Sequence, residues 1–411
     1  MKFTFGKIVA LLLALCMLFA LASCSFIPTN DDLTNDQTND QNDTPPSEDT
    51  AKDDFDLGVF NPTGPIKNVI FIIGDGMGKN HIEAGALDRG SAYDFQSWQR
   101  VDVNTDSIDA ETGELGLTNS SASATALATG VLTNNDLVGV DPNGTPLATI
   151  MDYAKAAGKS TGIVTSDYLY GATPASFSAH AMDRDDRKTI TESQVLSDVN
   201  FLAGLTSNIY GQTLYKKIIS NSAYYFSDSL SDPEISQKDQ VMIALNIEDD
   251  TDNSVTLAQT TKAALEYLER DTDGFVLMIE QAYIDKHSHN NQFGDMVSRM
   301  HSLSDTVDAV MEWIGDRNDT VVIISADHET GGLSVSATEE LAFSYNGNNG
   351  TFYYAWTTKN HTQSYVSLYV YGTTEKFDEY KTYGDSNIIK NADIFDLLKR
   401  LVTTGEPSPA A

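Results

Sequence analysis

Three short apolar runs in this chain each end in an acidic residue, and that pattern narrows the folds open to it. Val69–Ile73 is followed by Asp75, Phe275–Ile279 by Glu280, and Val321–Ser325 by Asp327 and His328. Continuous runs rich in Val and Ile are strands buried on both faces, as in a parallel sheet. Helical patterns alternate with them. "PLATIMDYAKAAGK" reads as a helix before the strand "STGIVTS", and "SVTLAQTTKAALEYLERD" as a helix before "GFVLMIE". Val297, Met300, Leu303, Val307, Val310 and Ile314 recur every three or four residues, which predicts a long amphipathic helix leading into "TVVIISADHETGG". "SYVSLYVYG" is a further strand and "ADIFDLLKRLV" a closing helix, while residues 205–250 show weaker periodicity. The alternation predicts a layered α/β fold with a largely parallel central sheet.

In open α/β sheets, functional groups gather at the carboxyl ends of the strands. One acid there is ordinary turn chemistry; three, with an adjoining histidine, point to a site. "DKHSH" adds to it, because Asp285 and His289 stand four apart and share one face of a helical turn. His287 points elsewhere on that turn. Carboxylate and imidazole together suit Zn²⁺, and an all-oxygen set suits Mg²⁺.

The N-terminus reads as an export signal. Lys2 and Lys7 precede an apolar run, Ile8–Ala22, that is shorter than the roughly 20 residues of a membrane span. It ends in "LASC", which resembles a bacterial lipobox and makes Cys24 the lipidated residue. The other cysteine, Cys16, lies inside the removed segment, so the exported chain has no disulfide. From Ser25 to about Asp56 the chain is rich in Asn, Asp, Thr, Pro and Ser, a disordered acidic tether in composition. The expected organisation is a signal peptide over 1–23, a lipidated tether over 24–58, a catalytic domain over 59–405 and a short tail over 406–411. Export with a lipid anchor on the outer face of a bacterial membrane follows, the membrane being met through that lipid alone. The formal net charge of −33 argues against a nucleic-acid partner, and an anionic substrate needs a locally positive site.

The motifs, taken in order, resemble the alkaline phosphatase family over nearly all of the folded part. They are "IGDGMG", "NSSASATALATG", "GATPASFSAHAMDR", "IEQAYIDKHSH", "SADHETGG" and "NHTQSYVSLYVYG". The resemblance implies a three-layer α/β/α sandwich and, per chain, two Zn²⁺ and one Mg²⁺. It implies Asp75 bridging a zinc and the magnesium, with Thr173 and Glu280 as further magnesium ligands. Asp285, His289 and His361 would hold the first zinc, and Asp327 and His328, with Asp75, the second. Ser120 would be the nucleophile and Arg184 the phosphate-binding arginine. Lys286 stands where some members carry a lysine that contacts phosphate through water. The implied reaction is hydrolysis of a broad range of small phosphomonoesters through a phosphoserine; homodimers are common in the family.

The small residues of "TNSSASATALATG" let a helix start tightly against a strand edge with Ser120 in its first turn. Free N–H groups and the helix dipole there favour an alkoxide and a phosphate. His81, His180, His287 and His301 read as satisfied core or surface histidines, and Arg187 and Lys188 as solvent-facing.

Two positions depart from the family pattern. Asn119 precedes the nucleophile where Asp is usual, and Gly171 stands two residues before Thr173 where many members have Asp or His. The absent side chain at Gly171 is expected to alter the third metal site. A phosphodiesterase or a mutase of the same superfamily is the alternative enzyme, although no additional substrate-gripping domain is evident. A sulfatase lacks its Cys/Ser-x-Pro-x-Arg motif here. A surface metal-binding lipoprotein without turnover is the alternative of another class.

Overall fold

Register carries the three strand-end acids to one edge. The computed structural model describes residues 55, 57–58, 60–205, 218, 220, 222–245, 247, 254–372 and 387–406. The predicted signal segment, Cys24 and nearly all of the tether lie outside them, as does the tail beyond Glu406. Within the stretch read as tether, Phe55 packs edge-on against His180, with ring centroids 5.8 Å apart.

Among the described residues the central sheet has ten strands: β1 (Asn68–Gly74), β2 (Gln99–Asn104), β3 (Ser160–Tyr168), β4 (Phe201–Leu205), β5 (Tyr225–Ser227), β6 (Val241–Ala244), β7 (Phe275–Gln281), β8 (Thr320–Ser325), β9 (Val366–Tyr371) and β10 (Ile388–Lys390). Their order is β10-β2-β9-β8-β1-β7-β3-β4-β6-β5. β1 and β7 are buried along all seven residues, as their unbroken apolar runs predict. β1 pairs in parallel with β7 and β8, placing Ile73 beside both Glu280 and Ser325. Asp75 and Asp327, just past those strand ends, therefore stand level with Glu280.

β9 alone among the described strands of this sheet runs against its neighbours, pairing antiparallel with β8 and β2. Its reversed direction puts its amino end at the carboxyl edge of the parallel strands. His361, just before β9, arrives there for that reason. The short pairing of Glu329–Thr330 with His361–Thr362 fixes its height.

The helices pack in two groups. One holds α1 (Lys79–Arg89), α6 (Leu257–Leu268), α7 (Tyr283–His289) and α8 (Phe293–Ile314). The other holds α2 (Ser120–Thr129), α3 (Ile150–Ala156), α4 (Ala172–Ser176) and α9 (Asn391–Thr404). With α5 (Arg187–Gln194), they flank the mostly parallel sheet as an α/β sandwich. α8 buries Val297, Met300, Leu303, Val307, Val310 and Ile314, the stripe its period predicts. α3 is shorter than "PLATIMDYAKAAGK" suggests, because Thr149 caps it and exchanges hydrogen bonds with Asp152. Residues 225–227 and 241–244, from the weakly periodic stretch, extend the sheet at one end, with 225–227 as its edge strand. No helix among the described residues is long and apolar enough to cross a membrane.

Candidate active site

α7 follows β7 directly, so Asp285 and His289 project from adjoining turns of one helix face, and His361 meets them from the β9 side. The three present ligand atoms to one point: His289 Nε2 to His361 Nε2 is 3.1 Å, and Asp285 Oδ1 lies 3.3 and 3.7 Å from them. A tetrahedral ion bound at about 2.0–2.1 Å has ligand–ligand edges of about 3.3–3.4 Å, so the triangle is the size of one tetrahedral face. The protonation states agree. Nδ1 of His361 meets the carbonyl of Thr118 at 2.9 Å, and Nδ1 of His289 meets that of Lys359. A carbonyl only accepts, so each Nδ1 carries the proton and each Nε2 points a lone pair at the other. A cation between them removes that conflict.

A second group lies at the ends of β1 and β8. His328 Nε2 stands 3.5 Å from Asp75 Oδ1 and 3.2 Å from Asp327 Oδ2. Both of those carboxylate oxygens are buried without a hydrogen-bond partner, which is costly unless something else satisfies them. Asp327 spends its other oxygen on the N–H groups of Gly76 and His328, at 3.1 and 3.0 Å. Gly76 has φ +70°, and a Cβ there would fall 2.8 Å from Asp285 Cβ and Thr330 Oγ1, so the glycine lets the two groups approach. Thr330 joins them: its hydroxyl donates to Asp285 Oδ1 and lies 3.2 Å from His328 Nδ1.

A third group is all oxygen. Glu280 is buried, and Thr165 Oγ1 donates to its Oε2. Thr173 Oγ1, on α4, is buried and close enough to Glu280 to lower its pKa, yet it meets no hydrogen-bond geometry.

The electrostatics follow from burying so many acids together. Burial, then Asp327, Asp285 and Glu280, raises the pKa of Asp75 well above the carboxylate range, against a pull from Arg184. Burial first raises Asp327 to about 8 and Glu280 to about 7. His328 is held well below its ordinary value by burial and by His361, His289 and Arg184. Neutral imidazoles beside carboxylates that cannot ionise together make a cation-receptive site. These residues fit metal ions: two mixed nitrogen–oxygen groups and one oxygen group.

Ser120 opens α2, and its Oγ lies 3.3 Å from His328 Nε2. It is 5% exposed, so a reacting group must come to it. Asn119 caps the helix, accepting from Ala122 N at 3.1 Å and from Ser121 Oγ. Its amide donates to Asp136 Oδ1 at 2.7 Å, and the Asp136 carbonyl accepts from Arg184 N at 2.8 Å. The negative charge missing at 119 thus stands one residue away in space. Arg184 is half-buried, and its charge is felt by Asp75, His328 and His361.

Every site residue expected from the sequence lies at this edge except Cys24, which is outside the described residues. Lys286 pairs with Asp167; burial opposes its charge, but Asp167 and Tyr283 beside it prevail and raise its pKa. Of the histidines set aside, His81 is a neutral core residue, driven to about 3 by burial and bonded to Ser288 Oγ at 3.0 Å. His301 is satisfied too, as expected, though by a buried acid distant in sequence: its Nε2 meets Asp88 Oδ2 at 2.8 Å and its Nδ1 meets Tyr93 Oη at 2.9 Å. That contact spans distant residues and leaves no trace in local spacing. Lys188 is exposed and pairs with Glu192, and Arg187 stacks over Tyr170. Sequence reasoning missed Asp136, Asp167 and Thr330. Asp167 carried the same signal as the others, an acid at the end of a buried run.

The alkaline phosphatase family model matches residues 66–217 and 238–396. Alkaline phosphatase 3 of Bacillus subtilis is 30% identical over 292 residues, covering 66% of this chain and 63% of that protein. Alkaline phosphatase of Escherichia coli K12 is 27% identical over 330 residues, covering 64% of this chain and 70% of that protein. The chain thus spans somewhat under two thirds of the Bacillus relative's length. Among solved structures, alkaline phosphatase from the Antarctic bacterium TAB5 superposes with a TM-score of 0.69 at 24% identity, covering 84% of this chain and 98% of that one. With the family model covering most of the described residues and the site geometry in place, the chain belongs to the alkaline phosphatase family.

Proposed function

We propose that this protein is a metal-dependent phosphomonoesterase acting through a phosphoserine at Ser120 on a broad range of small phosphomonoesters. The observation that carries the reading is the placement of Ser120 Oγ, 3.3 Å from His328 Nε2, at the head of a helix beside both mixed ligand groups. Asp285, His289 and His361 would hold one Zn²⁺, Asp75, Asp327 and His328 the other, and Asp75, Thr173 and Glu280 a Mg²⁺. When bound, these cations supply Lewis-acid stabilisation of the attacking and leaving oxygens and lower the pKa of a hydroxyl beside them.

The chain's own residues do the rest. Ser120 gives its hydroxyl proton to solvent as its Oγ attacks phosphorus, forming the Oγ–P bond while the ester P–O bond breaks and the alcohol leaves with a proton from solvent. Water then attacks the phosphoserine, releasing phosphate and restoring the hydroxyl. The α2 amino end offers N–H groups and a positive dipole to the phosphoryl oxygens. Arg184 forks onto two oxygens that are not transferred, a bidentate geometry unavailable to lysine. Lys286, held by Asp167, meets phosphate through water. We place the protein outside the cytoplasm on a lipid at Cys24, with a homodimer as its assembly.

The test compares p-nitrophenyl phosphate with bis-p-nitrophenyl phosphate at alkaline pH with Zn²⁺ and Mg²⁺ present. Fast monoester cleavage abolished by EDTA is expected. Preference for the diester would make the protein a phosphodiesterase, and zinc binding without turnover a metal-binding lipoprotein.

A further inference from the structure

Asp167, the last residue but one of β3, stands beside the oxygen group and has no role assigned so far beyond its pairing with Lys286. Its N–H donates to Thr165 Oγ1 at 2.9 Å, and that hydroxyl donates to Glu280 Oε2. The Asp167 carboxylate divides its oxygens between two neighbours. Oδ1 accepts from Lys286 Nζ, while Oδ2 lies 3.0 Å from where a Cβ on Gly171 would stand. Gly171 has φ −54° and ψ 154°, a backbone open to any residue, so its dihedrals do not demand glycine. What distinguishes the position is that Asp167 already reaches into the space a side chain there would enter.

Two further observations point to a ligand. Thr173 Oγ1, on a residue 1% exposed, and Asp75 Oδ1, on a residue 6% exposed, are both buried without partners. Carboxylates that repel one another beside unsatisfied hydroxyl and carboxylate oxygens form the donor set of a hard dication.

We propose that Asp167 is the additional oxygen side chain of the Mg²⁺ site formed with Asp75, Thr173 and Glu280, entering from the strand end where a side chain at 171 is absent. This rests on the metal assignment given under Proposed function. Oδ2 faces the ion and Oδ1 holds Lys286, so one carboxylate both completes the site and positions the lysine. Neutralising it weakens the ion and frees the ammonium together.

The test uses the full chain, stripped of metal, reloaded with Zn²⁺ and titrated with Mg²⁺ by calorimetry, with bound metals counted by mass spectrometry. Asp167→Asn is expected to bind Mg²⁺ roughly tenfold more weakly or worse while keeping its zinc. Adding Gly171→Asp to Asp167→Asn is expected to restore binding. Mg²⁺ affinity unchanged in Asp167→Asn would overturn the proposal. Gly171→Asp alone gives a check should Asp167→Asn not fold. The place being taken, it is expected not to tighten Mg²⁺ binding, and tighter binding would show the place vacant and overturn the proposal. A wild-type chain that takes up zinc but no Mg²⁺ overturns it together with the third metal assignment, while the ester assay judges the phosphatase reading separately.

Discussion

Nε2 of His289 and Nε2 of His361 face each other at 3.1 Å, each with its proton committed to a backbone carbonyl on the far side of the ring. Two lone pairs held at that distance, 72 residues apart in sequence, are an arrangement built for a cation. His361→Ala should therefore lose one zinc of two and most turnover, while the group at Asp75, Asp327 and His328 keeps its ion. Metal counting on the purified variant checks this; retention of both zincs would be the contrary result.

Removing the metals should expose the cost of the buried acids, with a definite sign. Burial first raises Asp327 from an ordinary 3.8 to about 8, and Glu280 from 4.5 to about 7. A folded chain that keeps protons the unfolded chain releases loses stability as pH rises between those values. The EDTA-stripped protein should thus melt lower by roughly 5 °C or more at pH 8 than at pH 5. Zinc should restore the melting temperature at pH 8 more than at pH 5. A flat pH profile for the stripped protein would count against the assignment.

Among the described residues no side chain is hydrogen-bonded to or ion-paired with Arg184, and its charge reaches Asp75, His328 and His361. Arg184→Lys keeps the charge and loses the fork. Steady-state kinetics should show KM for a monoester and the inhibition constant for phosphate each rising by about tenfold, with metal content unchanged.

Asn119 donates to Asp136 Oδ1 at 2.7 Å, and the Asp136 carbonyl holds Arg184 N. Asn119→Asp sets two carboxylates against each other and should lower the melting temperature by about 2–4 °C. Adding Asp136→Asn should recover it, because one donor and one acceptor are again opposed. Thermal denaturation of the two variants reads this directly.

The site was legible where its residues sit at the ends of strongly patterned elements. Val69–Ile73, Phe275–Ile279 and Val321–Ser325 mark buried parallel strands by composition alone, and Asp75, Glu280 and Asp327 follow them. Asp285 and His289 were joined by helical spacing, which α7 bears out. His361 was reachable only through the family resemblance, since its place depends on β9 running against its neighbours. Gln99–Asn104 gave little sign of being a strand, because only Val101 and Val103 of its six residues are apolar and its pairing with β9 and β10 is long-range. Asp136 and His301 act through partners brought close by the fold, which local periodicity does not encode.

The most direct test of the central claim is to look for the covalent intermediate. The protein, loaded with Zn²⁺ and Mg²⁺, is mixed with a ³²P-labelled phosphomonoester, quenched rapidly in acid and digested for peptide mapping. The account predicts label on Ser120 and none in Ser120→Ala, whose turnover should fall about a thousandfold or more with its zinc intact. Turnover in Ser120→Ala close to that of the wild type, or label on another residue, would contradict it.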